Sequence, residues 1–172
     1  LWFRTEGDAD GGHLDEAEAH VLYGRAFARW WDVVVGLRQA ARPGTAQSWL
    51  AVGVQGLAPY WFEIEATAYL GTGGRTAARL AAEYELLLTN RLVLQPVVEL
   101  NLFGKTDVER GLGAGLSTVD GELRLRYEIR REFAPYIGIR WRDTFGDTSR
   151  LAAAAGESAG SRRLVAGLRL WF

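Results

Sequence analysis

The chain has 172 residues, about one domain's worth, and its 20 basic and 21 acidic residues leave a net charge of −1. That balance argues against a nucleic-acid binder, which needs a basic face, and the lack of cysteine removes disulfide frames, zinc ribbons and thiol nucleophiles. Hydrophobic residues at 48% exclude a disordered tail, and the longest apolar run, 49–62, is broken by Gln55 and falls short of the ~20 residues a spanning helix needs.

The chain begins at Leu1 and contains no Met, which predicts a mature piece from which a leading segment has been removed. Along it the dominant hydrophobic period is two. Phe62, Ile64, Ala66, Ala68 and Leu70 fall on one face of a strand, with Glu63, Glu65, Thr67 and Tyr69 on the other. The same alternation runs through 75–88, 122–129 and 162–172, and no helix can use it, because residues i and i+2 do not share a helix face. The Ala, Glu and Leu content of 75–88 also suits an amphipathic helix, but its unbroken alternation favours a strand. Breakers at regular intervals mark off ten strands, at 1–8, 14–27, 31–42, 47–58, 62–71, 75–88, 91–104, 118–130, 134–146 and 162–172. Pro96 lies inside one of them and predicts a bulge there.

Ten antiparallel strands in an open sheet would leave two exposed edges, so closure into a barrel or sandwich is expected. Four features point the apolar face outward, toward lipid. The turns are short on one side, while the other side carries long loops near 104–117 and 146–161. Aromatic residues gather at strand ends: Trp30, Trp61 and Phe133 mark the short-turn end, and Trp49, Phe103 and Phe145 the long-loop end, as two interfacial girdles would. The chain stops on the aromatic Phe172. The polar face is charged with near-equal Arg and acid, drawn from 19 Arg and the single Lys105. The expected fold is therefore all-β: one closed antiparallel transmembrane barrel of the outer-membrane type, spanning 1–172, with about ten strands (eight as the alternative).

The segments VQGLAPYWFEIEATAYLG (54–71), GRTAARLAAEYELLLTNRLVLQP (74–96) and LRYEIRREFAPYIGI (125–139) resemble signature blocks of the copper resistance protein B family of outer-membrane proteins. DVERGLGAGLS (107–117) and the terminal LRLWF extend that resemblance over nearly the whole chain. It implies a barrel in the cell outer membrane that takes part in copper resistance, by binding copper or by aiding its sequestration or efflux. The partners it implies are the lipid bilayer, copper ions and a periplasmic copper-handling protein, with the barrel itself monomeric. Family members carry a Met- and His-rich segment ahead of the barrel, which this chain lacks, so the resemblance does not carry the softest copper ligands onto it.

Candidate chemistry gathers in two places. Antiparallel register brings Glu63 opposite Glu83 with Glu65 and Glu85 close by, four like charges that need an answer. Around the turn near 132, Arg124 is expected near Arg140, with Arg126 and Arg142 close. An acidic wall facing a basic wall reads as a salt-bridged plug, in which Glu63, Glu65, Glu83 and Glu85 face Arg124, Arg126, Arg140 or Arg38; an acidic cation site is the alternative. His20 lies two residues from Glu18 on the polar face, a pair able to hold Cu(II), and His13 sits in an acidic run. The metal candidates are thus His20, Glu18, Glu63, Glu65, Glu83, Glu85 and His13. With two His and no recognisable catalytic spacing, a non-enzymatic protein is expected. A small outer-membrane enzyme, or a structural barrel with no metal site of its own, is the other reading.

Overall fold

The computed structural model describes residues 2–10, 13–42, 45–130 and 132–170, with side chains described for 23–37, 48–130 and 132–169. The terminal Trp171 and Phe172 lie outside the described residues. Strands β1 (Trp2–Asp10), β2 (His13–Ala28), β3 (Trp31–Arg42), β4 (Thr45–Ala58), β5 (Phe62–Gly71) and β6 (Arg75–Glu83) are followed by the two-residue β7 (Leu86–Leu87). Then come β8 (Leu92–Phe103), β9 (Gly115–Tyr127), β10 (Phe133–Thr144), the helix α1 (Gly146–Ala154) and β11 (Gly160–Leu170).

These strands make one antiparallel sheet in chain order, with β7 paired to β8 beside β6. Ten strand positions result, as the period and breakers predict. Among the described residues the pairing runs from β1 to β11 with no pair between those two edge strands. The helix α1 is the main departure: it forms in the Ala-rich stretch expected to be loop, where alanine's high helix propensity prevails. Among the described residues, no helix is long and apolar enough to cross a membrane.

Alternation sorts the side chains as expected. Leu70, Leu80, Ile137, Leu164 and Leu168 are exposed on the outer face, Leu164 by 85%. The inner face holds Trp49, Ala51, Thr67 and Tyr69 with Gln95, Glu122 and Arg126, all buried.

Three local findings correct the sequence reading. Pro96 makes no bulge: it stands in register opposite Leu123, and the irregularity in β8 falls at Asn101/Leu102. Its missing N–H is accommodated on the other side, where the 75–88 strand breaks at Tyr84 and Glu85 and only Tyr84 N donates back, to Pro96 O at 3.1 Å. Trp49 and Phe103 form no outer girdle. Trp49 is 7% exposed and clusters inward with Ala51, Tyr69 and Ala77, with Phe103 packed against them. Phe145 remains partly exposed, immediately before α1.

The short-turn end keeps its exposed rings. Phe27, Trp30, Tyr60, Trp61 and Phe133 are all exposed, with Trp30 and Trp61 in edge contact at 6.2 Å. Tyr60 and Trp61 have φ of 67° and 66°, a left-handed backbone that bulky residues adopt only at a cost.

Candidate functional site

The three-residue turn at Thr72–Gly74 sets the β5–β6 register and places Glu63 directly opposite Glu83, as expected. These carboxylates share the inner face with β8 and β9, and those strands supply part of their partners. Gln95 Nε2 donates to Glu83 Oε1. Arg126, 5% exposed, donates to Glu85 Oε1 at 3.0 Å and to Glu128 Oε1 at 3.3 Å, and Arg169 of β11 reaches the same Glu85 oxygen at 3.4 Å. Thr67 Oγ1 donates to Glu65 Oε1 at 3.5 Å. Glu63 and Glu83 therefore share one cross-strand row of the inner face, Glu65 lies in the next row, and Glu85 follows just past the end of β6. The expected Glu85–Arg126 pairing is present, while Gln95 and Arg169 are additional partners.

The basic wall differs from expectation. Arg140 lies opposite Glu122 and Arg142 opposite Asp120, so Arg124 faces Gly138 rather than Arg140. The physical cause is the connection after β9, which closes with an isolated Arg130–Phe133 bridge and starts β10 at Phe133, so the strands meet two residues out of the expected register. Acids are thereby interleaved with the arginines. Arg124 grips Glu122 through two bonds, one of them Nη2 to Oε2 at 2.9 Å, and stacks over Tyr136 at 5.6 Å. Arg142 Nε donates to Asp120 Oδ1 at 2.6 Å. On β8, Glu99 receives Arg79 at 2.6 Å and Asn101 at 2.9 Å.

Following the register across the inner face gives one row of Glu63, Glu83, Val97, Glu122, Arg140 and Arg163. Its neighbour reads Glu65, Ala81, Glu99, Asp120 and Arg142. Each row carries only acidic charges from β5 to β9 and turns basic at β10, with Arg163 of β11 extending the first.

Among the described residues no group of three or more His, Asp or Glu is placed to hold a metal ion. Glu63, Glu65, Glu83 and Glu85 are thus neighbours without forming such a group. For His20, Glu18 and His13 only the backbone is described. His20 pairs with Arg4 and Arg38, Glu18 with Glu6, and His13 with Asp10 at the far end of the hairpin.

Sequence reasoning missed Asp120, although it shares parity with Glu122, Arg124 and Arg126 in TVDGELRLRY and that signal was available. It also missed the contact between the two long loops. Thr148 of α1, 4% exposed, bonds Ser117 Oγ at 2.7 Å and accepts from Gly113 N at 2.7 Å, while Arg75 pairs with Asp107 at 2.8 Å.

Sheet order, inward charge and outward leucines define the class as the porin-type β fold. The solved "NanC porin structure in rhombohedral crystal form" is similar with a TM-score of 0.62 at 10% identity, over 91% of this chain and 79% of that one. The sequence is more specific. All of residues 1–172 match the family described as "Copper resistance protein B precursor". The chain is 49% identical over 172 residues to the Copper resistance protein B of Escherichia coli. It is 51% identical over 172 residues to the Copper resistance protein B homolog of Pseudomonas syringae pv. tomato (strain ATCC BAA-871 / DC3000). The whole chain is matched in both cases, and it spans 58% of the length of each relative. The chain belongs to the copper resistance protein B family.

Proposed function

We propose that this chain is a non-enzymatic outer-membrane barrel serving copper resistance, with the apolar outer face of its sheet in lipid and its charged inner face around a narrow lumen. Membership of the family supports the role in copper resistance. The observation that carries the membrane reading is the inversion of faces: leucines and isoleucines on the outside, Arg and Glu ion pairs on the inside. The strained Tyr60–Trp61 turn adds to it, since an exposed ring pair at a strand end suits the headgroup level of a bilayer.

Copper is cargo in this reading. If the barrel holds it unaided, imidazole and carboxylate favour Cu(II), with His20 and Glu18 first and the acids around His13 second. Two experiments test the proposal. Fractionation with heat-modifiable gel migration should find the folded chain in the outer membrane, and deleting it should lower copper tolerance until it is restored. Calorimetric titration with Cu(II), repeated on His20→Ala, then separates a site in the barrel from copper handling elsewhere in the longer protein. Unchanged binding in the variant, or no binding at all, removes the His20 site.

A further inference from the structure

We infer that Arg140, Arg142 and Arg163 form a binding site for a small oxyanion, of the phosphate or carboxylate class, on the lumen face of β10 and β11. Arg140 and Arg163 stand directly opposite each other in the β10–β11 register, two like charges that repel unless something answers them. Arg142 lies two residues from Arg140 on the same face. The only carboxylate that reaches this group among the described residues is Asp120, one carboxylate against three guanidiniums, which engages through Oδ1 while its buried Oδ2 has no partner. Arg142 uses its Nε on Asp120 Oδ1 at 2.6 Å. Arg140 approaches the same oxygen only to 3.9 Å, beyond hydrogen-bond reach. Glu122, opposite Arg140, is held by Arg124.

The donors left over are numerous. A guanidinium offers five N–H groups in a fixed fork shaped for carboxylate or phosphate. Arg142 engages one of these donors, and the Arg163 side chain has no ion pair or hydrogen bond to a described residue. Arg140 and Arg142 are each half exposed, so solvent and a small solute can reach them. The buried arginine of the same sheet behaves differently: Arg126 is 5% exposed and has its carboxylates, Glu85 and Glu128, supplied from within the chain. The ligand is a free solute rather than a lipid headgroup, because β11 turns Leu164 and Leu168 outward and Arg163, of the opposite parity, inward.

The test is titration of the full chain, folded in detergent, with inorganic phosphate at constant ionic strength. Arg140→Gln and Arg163→Gln should each weaken binding about tenfold or more, as expected for losing a charge-assisted bond. Arg162→Gln, on the outer face opposite Trp141, should leave it unchanged. Arginine modification of the unmutated chain by phenylglyoxal, mapped by mass spectrometry, reads the same site without a variant that must fold: phosphate should protect Arg140 and Arg163 and leave Arg162 reactive. Absence of phosphate binding, equal binding by all variants, or lack of protection would overturn the inference.

Discussion

Two sectors of the same inner face of the sheet are held together in opposite ways. On β4, β5, β6 and β8, toward the long loops, the face is Trp49, Ala51, Tyr69, Ala77 and Phe103, and water is nearly excluded: Ala51 is 1% and Tyr69 2% exposed. On β9, β10 and β11 the face is Asp120, Glu122, Arg124, Arg140, Arg142 and Arg163, wetter toward the edge strand. The first sector is held as a protein core is, by shape. Trp49 lies over Gly71, its register partner, where a Cβ would come within 2.6 Å of the indole Cε3. The second is held by ion pairs whose strength falls as exposure rises. The inner face is therefore part apolar core and part charged wall, and β5 and β6 carry both, with Tyr69 and Ala77 toward the long loops and Glu63 and Glu83 toward the other end.

That contrast is open to attack by mutation, read as unfolding of the chain refolded in lipid vesicles. Tyr69→Ala should cost most, about 3–5 kcal/mol, as for other large buried rings. A cost under a third of that would mean the aromatic sector is not packed. Leu80→Arg puts a charge on the outer face and should cost about 2–4 kcal/mol in vesicles if that face meets the bilayer midplane. A neutral effect there would undo the assignment of faces on which the comparison of sectors rests. Gly71→Val should cost about 1–3 kcal/mol by overpacking alone. The φ of −102° at Gly71 is open to any residue, so a small compensating Trp49→Phe change should recover part of the loss. Arg142→Gln should cost least, about 1 kcal/mol, because its half-exposed guanidinium is screened by water and salt and Arg140 stays 3.9 Å from the buried Asp120.

How far the sequence foretells these sectors differs between them. The phase of each strand is legible because a period of two admits two answers, and Leu80 or Glu63 on the wrong face would have broken the pattern. The Glu63–Glu83 register is legible because the turn between β5 and β6 is short. Between β9 and β10 the connection is longer and carries its own bridge, so counting from the presumed turn misses by two residues and an arginine wall becomes an alternating ladder. Trp49 shows a different limit. An aromatic at a strand end suits a bilayer interface and a capped lumen equally well, and only the parity it shares with Ala51 and Gly53 tells the two apart. Pro96 was read for its own strand, whereas its effect fell on the neighbour.

The seam between the two long loops has an immunological consequence. Gly113 and Thr148, though 35 residues apart, are tied through a bond in which the Thr148 hydroxyl also meets Ser117. Val108 on one loop and Arg150 on the other are both well exposed. An antibody raised against the folded chain would meet the two loops as one discontinuous epitope. Peptides copying either loop alone would compete poorly for it, and Thr148→Ala would weaken recognition without altering any residue the antibody touches.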